Sequence, residues 1–274
     1  RARAVQARRD FGRPGRHVIT VAGTNGKGST VAFIEAIARA AGWRVGCYTS
    51  PHLQRYNGRV RIDGLGASDA DLVAAFEAVE AARGATTLTY FEFGTLAALW
   101  LFARSGLDLV VLEVGLGGRL DATNLVDPDV AVITTVDLDH QDWLGNDRET
   151  IGLEKVGIAR AWKPLVLGEH DPPSSVLGRA YALGASAIRA GSDFLFADVD
   201  DGHWSWREPG FALQLPKPAM DAPVQLRNAA TAIAALRALR RQIPRAAYAE
   251  GVANARVAGR FSSDQDGTDV YLRG

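Results

Sequence analysis

Short β-branched runs alternate with longer segments of helical spacing through the first two-thirds of the chain, a pattern that predicts a parallel sheet covered by helices. His17 to Ala22 reads as a strand and Gly23 to Gly28 as a glycine-rich turn. In the segment that follows, Val31, Ile34, Ile37 and Ala38 recur on one helical face. Arg44 to Tyr48 reads as the next strand. Ser68, with Asp71 three residues on, marks the start of a helix whose apolar face is Leu72, Phe76 and Val79. Leu96 to Ala103 is apolar throughout and reads as a buried helix. Leu107 to Val114 and Val130 to Val136 are continuous apolar runs, as expected of central strands buried on both faces, with the turn Gly115-Leu116-Gly117-Gly118 between them.

The pattern changes beyond Pro164. Leu165 to Gly168 predicts a strand, a helix starts near Ser174, and Ala187 to Arg189 is a short apolar run. Phe194 to Leu215 alternates aromatic and polar residues between turns, which predicts antiparallel strands at a sheet edge. Leu226 to Arg241 predicts an alanine-rich helix and Ala246 to Ala255 a second one. The fold class expected is α/β: a doubly wound, mostly parallel sheet with helices on both faces.

Composition narrows the partners. Thirty-one basic residues balance 31 acidic ones among 274, so no net field draws in nucleic acid or an anionic membrane, and an anionic ligand needs a local site. The single cysteine, Cys47, has no internal partner for a disulfide, which fits a reducing cytoplasm, and reads as a small buried hydrophobe. No apolar run is long enough to span a bilayer. The arginine-rich N-terminus has no apolar signal core and no initiator Met, as a truncated chain would lack one.

The chemistry begins at Gly23-Thr24-Asn25-Gly26-Lys27-Gly28-Ser29-Thr30, between a predicted strand and a predicted helix. Backbone N–H groups in a glycine turn point inward and a helix start adds partial positive charge, so this context suits phosphate. Lys27 can reach the β- and γ-phosphates, and the hydroxyl of Ser29 or Thr30 a phosphate or magnesium. A glycine follows the lysine, so the strict Walker pattern is not met. A tight strand-to-helix turn with an exposed lysine is the plainer alternative.

The loop resembles that of the Mur ligase superfamily, whose members make amide bonds through acyl phosphates. Four further segments narrow the resemblance: Thr49-Ser50-Pro51-His52-Leu53, Leu88 to Thr95 with its Tyr90-Phe91-Glu92 core, Glu113 to Asn124, and Glu154-Lys155-Val156-Gly157-Ile158. With Asp139-His140 they are similar to bacterial dihydrofolate synthase/folylpolyglutamate synthase, from about His17 to Phe261.

The resemblance implies a magnesium- and ATP-dependent ligase. It adds L-glutamate to dihydropteroate and to tetrahydrofolate, within folate and one-carbon metabolism. It also implies roles. Thr24, Asn25, Gly26, Lys27, Gly28 and Ser29, with Asn228 and Arg260, contact ATP. Ser50 and Glu113 hold one magnesium and His140 contacts a second. Thr89, Tyr90, Phe91 and Glu92, with Leu120, Asp121 and Ala122, line the pterin site, where Phe91 stacks on the flat ring and Asp121 accepts from its amino-substituted edge. Lys27, Glu113, His140 and Lys155 carry the catalysis, Lys155 as a carbamylated N6-carboxylysine. The partners are small molecules, with no nucleic acid or membrane, and the enzyme is expected to be a cytoplasmic monomer.

Read from residues alone, several alternatives stay open. Glu113 also fits a helix cap or ion-pair partner, Ser50 a turn before Pro51, and Lys155 an ordinary ion pair. Imidazole is not magnesium's preferred ligand, which weakens His140. One of Phe91 and Phe93 fits core packing, and Arg119 fits an anchor for the glycine turn. The family continues past Gly259-Arg260-Phe261 into a smaller α/β domain, absent here. Residues 1–260 are therefore expected to form the ATP-binding domain and 261–274 the start of a linker. Two rival functions remain: a Mur-type ligase acting on a cell-wall precursor, and a non-catalytic ATP-binding module.

Overall fold

A computed structural model describes residues 1–8, 11–50, 56–138, 146–220 and 222–257. The 260/261 domain boundary expected from the sequence lies outside them. Eleven strands and eight helices are described. The strands are β1 (His17–Ala22), β2 (Val45–Tyr48), β3 (Val60–Ile62), β4 (Leu65–Gly66), β5 (Leu109–Glu113), β6 (Val130–Ile133), β7 (Pro164–Leu167), β8 (Ser186–Arg189), β9 (Leu195–Asp198), β10 (His203–Glu208) and β11 (Phe211–Pro216). The helices are α1 (Ala2–Arg8), α2 (Lys27–Ala40), α3 (Asp69–Arg83), α4 (Tyr90–Ala103), α5 (Arg148–Lys155), α6 (Ser174–Leu183), α7 (Val224–Ala238) and α8 (Arg245–Asn254).

Eight strands form one sheet in the order β4-β3-β2-β5-β1-β6-β7-β8. From β2 across to β8 neighbouring strands run parallel, whereas at the other edge β3 pairs antiparallel with both β2 and β4. Alternate residues of each strand feed opposite faces. Ile19, Val21, Leu109, Val111, Val132 and Val166 pack with α2, α7 and α8. Val18, Val110 and Leu112 pack with α1, α3 and α4, while Ala131, Ile133 and Leu165 pack with α5 and α6. From the central β1 the chain winds first toward β2 and then toward β8, so the crevice beside β1 is the switch point where such sheets bind ligands. No described helix is long and apolar enough to cross a membrane.

The predicted central strands and their helices stand within a few residues of expectation. Ser68 caps α3, its Oγ accepting the Asp71 N–H at 3.1 Å. Cys47 is fully buried.

Phe194 to Leu215 departs from expectation. Its strands pair antiparallel, yet as a separate three-stranded sheet in the order β11-β10-β9, rather than at the edge of the large one. The reason is its single apolar face. Trp204 and Trp206, opposite Leu215 and Leu213, are buried against the alanine-rich α7, and Trp206 Nε1 donates to the Ala230 carbonyl at 3.1 Å. Alternation of this kind wants a cover on one side only. The β3–β4 hairpin turns at Asp63-Gly64, with φ of 51° and 82°, the two left-handed positions that an Asp-Gly turn supplies.

Candidate active site

The phosphate loop leaves β1 at Ala22 and enters α2 at Lys27. Gly23 has φ 151° and a Cβ there would overlap Thr134, while Gly26 has φ 84°, so both turns need glycine. Two threonines beyond the end of β6 clamp the loop. The Thr24 N–H donates to the Thr135 carbonyl at 2.9 Å, the Asn25 N–H to Thr135 Oγ1 at 3.0 Å, and Thr134 Oγ1 to the Asn25 carbonyl at 2.6 Å. Thr24 Oγ1 accepts from the Asp137 N–H at 3.0 Å. Lys27 folds back over the turn, its Nζ donating to the Gly23 carbonyl at 2.8 Å.

The N-cap of α2 is Gly26, which has no side chain to occupy the first amides. By contrast α3 and α4 are capped by Ser68 and Thr89. The uncapped amides at the helix start and a lysine make an anion cradle. Asn228, one turn into α7, lies directly beneath it: a Cβ on Gly26 would stand 2.5 Å from Asn228 Oδ1. Asn228 Nδ2 donates to Gln225 Oε1 at 3.1 Å, and Gln225 Nε2 to Ser29 Oγ at 3.3 Å. Thr134, Thr135 and Gln225 were not singled out in the sequence. Gln225 had a faint signal, one helical turn before Asn228; the two threonines had none.

Glu113 ends β5, opposite Val21 of β1, and is buried beside the cradle's strand. Its Oε2 accepts the Ser50 N–H at 3.2 Å. A buried carboxylate beside a serine at a strand end is a hard-oxygen donor set, which fits magnesium. Among the described residues no group of three or more His, Cys, Asp or Glu side chains could hold a metal. His140 and Arg260 lie outside the described residues.

Lys155 ends α5 and is only 3% exposed. The glycine turn presses on its backbone: a Cβ on Gly118 would stand 2.8 Å from the Glu154 carbonyl and 2.9 Å from that of Lys155. Arg119 ties the same segments together, pairing with Glu154 at 2.9 Å while its N–H donates to the Glu154 carbonyl. Arg119 is thus the anchor of the glycine turn.

The third cluster opens α4. Thr89 and Glu92 form a capping box: Glu92 Oε2 accepts the Thr89 N–H at 2.8 Å and Thr89 Oγ1 accepts the Glu92 N–H at 3.2 Å. Tyr90 is 65% exposed, its ring edge-on to Tyr56 with the Arg59 guanidinium 5.9 Å from each ring centre. Phe91 packs on Tyr48 and on the backbone of Gly115, whereas Phe93 packs on Phe76 in the core. Asp121 accepts four bonds from its own loop: N–H groups of Gly115, Leu116 and Thr123, and the Thr123 hydroxyl. Burial pushes its carboxyl up, against the pull of those bonds. Asp121 therefore shapes the glycine turn, and its acceptor capacity is taken by that task. Leu120 is 79% exposed and Ala122 buried.

Known proteins share these features. The family model described as Mur ligase middle domain matches residues 21–180. The chain belongs to the Mur ligase family. This family member is 49% identical to the dihydrofolate synthase/folylpolyglutamate synthase of Escherichia coli (strain K12), over 95% of its own length and 61% of that protein's. The structure of E. coli FolC in complex with DHPP and ADP superposes with a TM-score of 0.90 at 48% identity, covering 95% of this chain and 62% of that one. A bifunctional folylpolyglutamate synthase/dihydrofolate synthase with Mn, AMPPNP and L-glutamate bound gives 0.89 at 50% identity, covering 96% and 63%. The Mur ligase chain described here spans about three fifths of the length of the curated relatives it matches first.

Proposed function

We propose that the chain is the ATP-binding part of a ligase that adds L-glutamate to dihydropteroate and to tetrahydrofolate. The observation that carries this reading is that the Gly23–Ser29 cradle, Glu113 and Ser50 stand at or just past the ends of the neighbouring strands β1, β5 and β2, with Ser50 bonded to Glu113. A likeness of about half identity to enzymes of that name supports it.

In this reading a substrate carboxylate oxygen attacks the γ-phosphorus of ATP and the bond to the ADP oxygen breaks, leaving an acyl phosphate. The glutamate amine then attacks the acyl carbon; phosphate leaves, an amide forms and a proton is released. Such transfer needs positioning and neutralised charge more than covalent help from the protein. Lys27 and the α2 amides hold the phosphates, with Asn228 setting the loop from below and Arg260 reaching the nucleotide. Ser50 and Glu113 would hold one divalent ion and His140 would contact a second, and such ions would supply neutralisation of phosphate charge. Tyr90, Phe91 and Leu120 offer an aromatic and apolar rim to a flat pterin, framed by Thr89, Glu92, Asp121 and Ala122. Lys155 takes up carbon dioxide: its ammonium first gives up a proton, the neutral amine nitrogen then bonds the carbon as a second proton leaves, and the carbamate turns a buried cation into an anion. The enzyme acts as a cytoplasmic monomer, residues 1–260 forming the ATP-binding domain.

Phosphate release from ATP tests the whole reading, measured with dihydropteroate, tetrahydrofolate or a UDP-muramyl precursor, each with glutamate. Release is expected with the two pteridines only. Release with the UDP-muramyl precursor alone would assign a cell-wall ligase. Tight ATP binding with no release in any arm would leave a non-catalytic nucleotide module.

A further inference from the structure

Arg61 sits on β3, outside the motifs described above, and holds three parts of the site together. Its side chain and that of Glu35 are 12% and 9% exposed and pair at 2.7 Å. Glu35 lies on α2, the helix that begins with Lys27 at the phosphate loop. Nε and Nη2 of Arg61 both address Glu35 Oε2, at 3.3 and 2.7 Å, while Nη1 donates to Thr49 Oγ1 at 3.1 Å. Thr49 is also held through its backbone, its N–H donating to the Arg59 carbonyl at 2.9 Å. The next residue is Ser50, whose N–H meets Glu113 at 3.2 Å. One guanidinium fork thus joins the nucleotide helix to the segment that carries Ser50.

We propose that Arg61 is a positioning residue for the divalent-metal end of the site, acting through Thr49 to seat Ser50 against Glu113. The inference rests on the reading of Ser50 and Glu113 as metal holders. Chemistry explains the choice of side chain. Two partners at different angles need the rigid, planar donor set of arginine, and a lysine ammonium offers only a point charge. Residues behind the metal ligands fix ligand orientation, and their loss typically weakens metal binding by about 10–100-fold. The pair is buried, so removing Arg61 outright would leave Glu35 buried without its cation and endanger the fold. Thr49→Val avoids this, since it deletes only the hydroxyl and leaves the Arg61–Glu35 pair intact.

The experiment is Mn²⁺ titration followed by electron paramagnetic resonance, in the presence of AMPPNP, on wild type, Thr49→Val, Arg61→Lys and Glu113→Gln. AMPPNP binding without metal and the thermal midpoint are measured alongside. Thr49→Val and Arg61→Lys are expected to weaken Mn²⁺ binding about tenfold. For Thr49→Val the metal-free nucleotide affinity and the midpoint should match wild type, a split that general destabilisation would not produce. Mn²⁺ binding lost in Glu113→Gln but unchanged in Thr49→Val overturns the inference alone. Mn²⁺ binding unchanged in Glu113→Gln overturns the metal reading, and the inference falls with it.

Discussion

Gly26 and Asn228 stand so close that a Cβ on the glycine would lie 2.5 Å from Asn228 Oδ1, although 202 positions separate them in the chain (228 less 26). The alanine-rich helix α7 therefore sets the floor of the phosphate loop. Gly26→Ala adds a left-handed strain at φ 84° to that clash. It should lower stability by about 1–3 kcal/mol and weaken ATP binding more than fivefold, checked by denaturant unfolding and nucleotide titration. Unchanged affinity in a folded variant would detach Asn228 from the nucleotide site.

Lys27 stores its ammonium on the Gly23 and Thr24 carbonyls, at 2.8 and 3.4 Å, within the loop it serves. Lys27→Ala should leave the fold standing and cut single-turnover phosphoryl transfer by about a hundredfold or more, the scale of losing one preorganised donor at developing charge. Rate and ATP affinity both intact would make the loop a structural turn.

Two glycines make a contrast. Gly118 faces the backbone carbonyls of Glu154 and Lys155, which cannot swing aside, whereas nothing lies within 4 Å of a Cβ on Gly178, inside α6. Gly118→Ala should cost about 1–3 kcal/mol by overpacking and slow turnover by displacing Lys155. Gly178→Ala should gain about 0.5–1 kcal/mol, as a glycine-to-alanine change within a helix does. Denaturant midpoints of both variants check the pair.

His17 opens β1 at the far end of the sheet from the loop. Burial lowers its pKa from the ordinary 6.5, with Arg241, Arg13 and Arg16 adding to the shift and Asp129 opposing it. The fold thus favours the neutral ring. Above the ordinary value both states are neutral and nothing is gained or lost. Below it the unfolded chain takes the proton first, so stability falls as pH drops from about 6.5 toward the depressed folded value. His17→Gln should flatten that limb of the thermal midpoint against pH between about pH 7 and pH 5. An unaltered slope would remove His17 as the cause.

Much of this protein was legible in one dimension. Central strands buried on both faces leave unbroken apolar runs, such as Leu109 to Leu112 in β5, and glycines that need left-handed backbone announce the loop at Gly23 and Gly26. The capping signal at Ser68 is equally local, because a cap joins residues three apart; the same signal at Thr89, read from the sequence only as a pterin-site residue, was missed. What the sequence left open is what depends on contact between distant segments. Whether Phe194 to Leu215 joins the large sheet or forms its own is settled by α7, which offers its alanine face to Trp204 and Trp206. That Asp121 spends its oxygens on Gly115, Leu116 and Thr123 depends on how tightly the glycine turn closes. The threonine clamp on the loop joins Asn25 to Thr135 across 110 positions, the bridge to Asn228 joins Ser29 to Gln225 across 196, and the fork from Glu35 through Arg61 to Thr49 spans 26 and 12. Such bonds leave no periodicity behind. Hydrogen bonds at long separation form only where packing has already brought the elements together, so only the folded chain decides them.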